Sequence, residues 1–190
     1  QIGAGAMGSI HLAKDRFLRR QVAFKKLLPG MGSGDVIERF LSEVQITAQL
    51  DHPNVIPIYT LDEDEFGAPA YSMKVIRGDS MKAWLADIRR AYHLNEISDE
   101  VTLSARLEVF LKVCDALMLA HQKGVIHRDL KPANIMLGEY NEVYVMDWGI
   151  AKLVQPTAES ETSAAGIELH EDHDPDKTMA GQILGTLRYM

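Results

Sequence analysis

Apolar and polar positions change period several times along the chain, and each change predicts an element. Short apolar-rich runs at 9–13 and 21–27, joined by the charged, turn-like stretch 14–20, predict a β-hairpin. From Ile37 the spacing becomes helical: Ile37, Phe40, Leu41, Val44, Thr47, Ala48 and Leu50 recur at three and four and predict one inward face. Pro53 disfavours helical geometry in the residue before it, so this helix must stop near His52. Runs at 55–61 and 70–76, separated by the acidic turn 62–67, predict two further strands. Together these give a small antiparallel sheet carrying one helix. Beyond it the pattern is mainly helical. Residues 80–92 form a weaker amphipathic helix, and Leu103, Leu107, Phe110, Leu111, Cys114, Leu117, Met118 and His121 mark a long one closed by Gly124. Strands at 135–137 and 143–146 flank a 138–141 turn and predict a hairpin. The composition shift near Gly78 separates two lobes, 1–78 and 79–190, of an α+β chain.

Composition narrows the class. The chain has 190 residues, 46% hydrophobic and 25% charged, enough to bury a core without covalent staples. A net charge of −7 argues against general nucleic-acid or anionic-lipid binding, which needs clustered cations. That charge is local: residues 155–176 carry seven carboxylates and no Lys or Arg, while the rest of the chain is balanced. This segment has neither helical nor strand periodicity and reads as a long acidic loop. One cysteine, Cys114, excludes an intrachain disulfide and points to a reducing, cytoplasmic setting. No apolar run is long enough to span a bilayer, and the first residues carry no targeting pattern.

The candidate chemistry lies in four segments. Gly3, Gly5 and Gly8 form a G-x-G-x-x-G run, which lets a backbone approach phosphates closely. A dinucleotide fold would need a helix straight after it, whereas here an alternating strand follows and leads to Val22-Ala23-Phe24-Lys25. This reads as a phosphate-covering turn with a lysine on the adjoining strand. A carboxylate could hold that lysine in place, and Glu43, in the middle of the predicted helix, is the candidate. The third segment, His127-Arg128-Asp129-Leu130-Lys131-Pro132-Ala133-Asn134, presents a carboxylate, an ammonium and an amide at intervals of two and three. Phosphoryl transfer needs a proton acceptor, positive charge and oxygen ligands for a divalent ion, and these residues offer one of each. Asp147, in Asp147-Trp148-Gly149, supplies a second metal-seeking carboxylate.

In this order the four segments resemble the eukaryotic-type protein kinase family, with a texture most similar to bacterial serine/threonine kinases. The resemblance runs from the glycine-rich turn to 185–190, similar to the family's G-T-P-x-Y-M segment. It implies a two-lobed fold and transfer of the ATP γ-phosphate to protein Ser/Thr hydroxyls, with Mg²⁺, or Mn²⁺ in its place. Lys25 would contact the α- and β-phosphates and pair with Glu43, Asp129 would be the base, and Lys131 would steady the γ-phosphate. Asn134 and Asp147 would hold the metal. Ile2, Ile10, Ala23 and Met136 would enclose the adenine, with Met73 as gatekeeper and the backbone of Lys74 and Ile76 as hinge contacts. The resemblance assigns Arg128 to a phosphorylated activation loop, Thr178 to the activating phosphothreonine and Thr186 to the substrate loop. It implies protein substrates, a dimer as one route to autophosphorylation, and any membrane anchor outside this region. Trp148 replaces the family's phenylalanine and Leu187 its proline. The expectation is a kinase domain truncated at both ends, whose isolated form is poorly folded or inactive. A scaffold of the same fold that holds nucleotide without transfer is the alternative, and a small-molecule kinase a third.

Overall fold

Backbone pairing begins at the glycine-rich turn, which joins β1 (Gly3–Ala4) to β2 (Gly8–Lys14). This is a computed structural model describing residues 1–5, 7–96, 98, 102–154, 167, 169 and 186. β3 (Gln21–Leu27) returns antiparallel to β2, and β5 (Pro69–Met73) and β4 (Ile58–Glu63) complete a five-stranded antiparallel sheet in the order β1-β2-β3-β5-β4. Helix α1 (Gly34–Gln49) packs across it. Phe40, Val44 and Thr47 of this helix are buried, while Ala48, expected inward, is exposed and Ile46 is buried in its place. The strand expected from residue 55 starts only at Ile58. Val55 instead makes an isolated parallel bridge to Val145, and Pro57, which has no N–H to give a ladder, stands between them. β4 also runs through Asp62 and Glu63, so the turn tightens to 64–67, where Asp64 accepts from the N–H groups of Phe66 and Ala68.

The second lobe holds β6 (Gly78–Ser80), α2 (Met81–Leu94) and α3 (Leu103–Gln122), then β7 (Val125–Ile126), β8 (Ile135–Gly138), β9 (Val143–Val145) and β10 (Lys152–Leu153). β6, β8 and β9 form one antiparallel sheet and β7 pairs with β10. Ser80 and Thr102 cap α2 and α3 by accepting from the N–H groups of Ala83 and Ala105. Gly124 ends α3 at φ +75°, where a Cβ would stand 2.6 Å from the Val154 carbonyl, so only glycine fits. No helix among the described residues is long and apolar enough to cross a membrane.

The inward face of α3 differs from the expected one. Val113, Ala116 and Ala120 are buried against β7 and β9, whereas Leu103, Leu107, Phe110, Leu111 and Met118 are exposed. Close approach of the helix to Val125, Val143 and Val145 selects small side chains, so the larger hydrophobics mark the opposite face. Two apolar clusters result. One joins Ile46 of α1 and Leu50 just after it to α3, β7, β8, β9 and Trp148; the other lies between α1 and the sheet and receives Tyr144 from β9.

This burial pattern predicts unequal costs. Phe40→Ala should lose about 3–5 kcal/mol of unfolding free energy, and Leu111→Ala about 0.5 kcal/mol or less. Urea titration of the two variants checks it, and equal losses would contradict the assigned face.

Candidate active site

Period-two alternation on β3 puts Ala23 and Lys25 on one face, opposite Met73 and Tyr71 of β5 in register. Glu43 stands one turn from Phe40 and Thr47 on the buried side of α1 and so meets that face. Lys25 Nζ donates to Glu43 Oε1 at 2.5 Å, and the Tyr71 hydroxyl donates to the same oxygen at 2.8 Å. Lys25 is 9% exposed and Glu43 3%, so each charge depends on the other for solvation. Burial, and then the Glu43 charge, hold the Tyr71 phenol well above its ordinary value, which keeps it a donor. Glu43 Oε2 is buried with no hydrogen-bond partner among the described residues, and a Cβ on Gly149 would come within 3.2 Å of it. A side chain at 149 would therefore crowd the carboxylate that holds Lys25.

After β7 the chain enters the loop that carries Asp129. Its carboxylate takes four donors. Oδ1 accepts from the Thr186 N–H at 2.9 Å and the Thr186 hydroxyl at 2.7 Å; Oδ2 accepts from Lys131 Nζ at 2.5 Å and Asn134 Nδ2 at 3.2 Å. Lys131 also donates to the Thr186 hydroxyl oxygen at 2.8 Å. Burial raises the Asp129 pKa, but bonds from Lys131 and Thr186 outweigh it and hold the carboxyl below its ordinary value. It is ionised at neutral pH and able to take a proton.

His127 fixes the loop from beneath. The buried ring lies tilted against Trp148 with the ring centroids 4.6 Å apart; Nε2 donates to the Met146 carbonyl at 3.0 Å, and Nδ1 accepts the Asp129 N–H at 3.3 Å. Only the neutral ring can do both, and burial lowers its pKa in that direction. Arg128 and Asp147 both have positive φ, 62° and 63°, a conformation that costs free energy in non-glycine residues. Arg128 Nε donates to the Ile150 carbonyl at 2.7 Å, tying the loop to the segment after Asp147.

Asn134 uses both amide hydrogens on Asp129, on its backbone oxygen at 2.9 Å and on its carboxylate, which leaves the amide oxygen to offer. The Met146 N–H donates to the Asn134 carbonyl at 2.8 Å, which sets the backbone of Asn134 beside the residue preceding Asp147, the other hard oxygen donor. No group of three His, Cys, Asp or Glu side chains suited to a metal occurs among the described residues. Two protein oxygens fit a small divalent ion that draws its other ligands from phosphates and water.

Ala23 and Met73 are buried in the sheet-lobe cluster, with Ile10 and Ile76 packed against it. Ile2 is 54% exposed, its N–H donating to the Ile10 carbonyl at 2.8 Å. Met136 faces the side of β8 opposite Ile135 and Leu137. The Lys74 N–H donates to the Pro57 carbonyl at 3.1 Å. The glycine turn is closed by the Gly5 N–H donating to Gly8 O at 2.8 Å. Thr178 and most of the acidic segment 155–176 lie outside the described residues. Tyr71 was not singled out from the sequence, although its position two residues before Met73 on one strand face was the available signal. Asn54 was also missed. Its backbone oxygen accepts from Val145 N–H at 2.8 Å and its side chain donates to the Val143 carbonyl at 2.9 Å, fastening the end of α1 to β9.

Comparison with known proteins agrees on the family. The profile described as "Protein kinase domain" matches residues 1–190. The chain is 39% identical over 192 residues to a "Serine/threonine-protein kinase PknD" of Protochlamydia amoebophila, covering all of this chain and 19% of that protein. Proteins of the same name from Chlamydia caviae and Chlamydia trachomatis are 34% and 35% identical, again across the whole chain, which covers 20% and 21% of them. The chain thus spans about a fifth of the length of these curated relatives.

The neutral His127 generates a pH prediction. Its folded pKa lies below the ordinary 6.5, so its contribution to stability is complete above that value. As pH falls below about 6.5 the unfolded chain binds the proton first, and stability declines. His127→Asn keeps a donor and an acceptor but cannot titrate, so its loss of stability from about pH 7 to about pH 5.5 should be shallower. Parallel slopes in urea titrations would contradict the neutral-ring assignment.

Proposed function

The chain belongs to the protein kinase domain family, and on that premise we propose that it transfers the ATP γ-phosphoryl group to serine and threonine hydroxyls of proteins in bacterial signalling. ATP and a divalent cation are used by the family generally; for this chain we assign Mg²⁺, with Mn²⁺ able to replace it. The observation that carries the reading is the Thr186 hydroxyl lying 2.7 Å from the Asp129 carboxylate and 2.8 Å from the Lys131 ammonium. A side-chain hydroxyl at this place has a base for its proton and a cation for the charge that develops on phosphorus. Its reach from the backbone is that of Ser or Thr, which favours those acceptors over tyrosine.

In this reading Lys25, held by Glu43, orients the α- and β-phosphates under the glycine turn. The acceptor oxygen bonds to the γ-phosphorus as the bond to the β-phosphate oxygen breaks, and ADP leaves. Asp129 receives the acceptor's proton, and Lys131 offsets the charge of the transferring group. Asn134 and Asp147 would hold the ion, which when bound would neutralise phosphate charge. Ile2, Ile10, Ala23, Met73 and Met136 enclose the adenine, and Lys74 and Ile76 present backbone atoms to it. Arg128 and Thr178 form the regulatory pair, a dimer serves autophosphorylation, and the setting is cytoplasmic. A protein kinase in two lobes, 1–78 and 79–190, accounts for these assignments together.

Radiolabelled phosphoryl transfer from ATP to a generic protein substrate tests this. Asp129→Asn should lower the rate by about 10²–10⁴ while nucleotide still binds; equal labelling would remove Asp129 as the base. Thr178→Ala should lower turnover of the same protein, and unchanged turnover would reject it as the switch.

A further inference from the structure

The turn between β2 and β3 presents a feature that phosphoryl transfer does not use. Phe17 is 98% exposed and its neighbour Leu18 66%, at the tip of the β2–β3 hairpin. Around them lie Lys14, Arg16, Arg19 and Arg20, with Asp15 the one carboxylate between Lys14 and Arg20. We propose that this tip docks the protein on an anionic lipid surface, Phe17 and Leu18 entering the interface and the basic side chains meeting the headgroups.

The tip is built to hold those two side chains outward. Asp15 Oδ1 accepts from the N–H groups of Phe17 at 3.0 Å and Leu18 at 2.9 Å, and the Asp15 N–H donates to the Arg20 carbonyl at 2.9 Å. Arg20 lies 3.7 Å from the other Asp15 oxygen, with its guanidinium 3.5 Å from the Tyr59 ring centroid. Asp15 is thus engaged within the turn, while Lys14, Arg16 and Arg19 stay exposed. The turn's backbone is ordered before any encounter, so docking loses little conformational freedom.

Charge and size select the occupant. A basic collar around an apolar pair complements an anionic bilayer, where each cation near the surface adds attraction and each apolar side chain adds burial. A stable protein partner covers about 800 Å² on each side, far more than two side chains on a narrow turn provide. Three exposed cations flank the apolar pair, and the one carboxylate among them is engaged within the turn, so the local field at the tip favours an anionic surface. The turn also lies at the opposite end of β2 from the glycine run, about 20 Å along the strand at roughly 3.3 Å per residue. Docking there leaves the nucleotide cleft open to solution.

Co-sedimentation of the chain with phosphatidylcholine vesicles, with and without about 30% phosphatidylglycerol, tests the proposal. Binding should require the anionic lipid and weaken as salt rises. Phe17→Ser combined with Leu18→Ser should weaken it about tenfold or more, and Arg16→Glu with Arg19→Glu should remove it. Thermal unfolding and circular dichroism of both variants should match the parent, because these four side chains are exposed. Absence of vesicle binding, equal binding to neutral vesicles, or binding that survives both variants would overturn the proposal. Binding to soluble polyglutamate in place of vesicles would overturn it in favour of an acidic protein partner. None of these readouts depends on catalysis, so a failure here and a failure of the kinase reading are distinguishable.

Discussion

A lysine and a glutamate enclosed together inside the sheet lobe set the terms for the rest of the site. Lys25 and Glu43 come from β3 and α1, and Tyr71 brings β5 to the same carboxylate oxygen. Neither charge can be buried alone, because its desolvation exceeds what packing returns. The position of α1 is therefore tied to the sheet electrostatically as well as by the apolar contacts of Phe40 and Val44. Gly149 lies against Glu43, so the placement of the Asp147 segment depends on the same pair.

The second lobe answers with a network in which one group positions the next. His127 joins the Met146 carbonyl to the Asp129 backbone, and Asp129 gathers Lys131, Asn134 and Thr186. The positive φ of Arg128 and Asp147 falls beside this network, in a region where surrounding bonds over-determine the backbone. Packing links the halves: Trp148 shares a cluster with Ile46 of α1 and the adjoining Leu50, and Tyr144 enters the cluster beneath the sheet. A shift of α1 is thus felt at both Asp147 and Asp129.

Much of this was legible in the residues because the motifs are local. The β3 strand, the hairpin at 135–146 and the order of Lys25, Glu43, Asp129, Asn134 and Asp147 follow from runs only a few residues long. What failed was burial decided by distant packing. The large hydrophobics of α3 suggested one inward face, but close approach of Val125, Val143 and Val145 placed Ala116 and Ala120 there. Tyr71 escaped notice because a tyrosine in a strand signals a core as readily as a hydrogen-bond donor. The short strands β6, β7 and β10 escaped too, since each exists only through a partner far along the chain.

The central claim, that the buried pair organises the site, is tested most directly by a double-mutant cycle on unfolding free energy. Lys25→Met alone leaves an unpaired buried carboxylate and should cost about 3–5 kcal/mol. Combined with Glu43→Gln, which keeps an acceptor for Tyr71, it should recover a large part of that loss, giving a coupling above about 1.5 kcal/mol. Losses that add within about 0.5 kcal/mol would contradict the account.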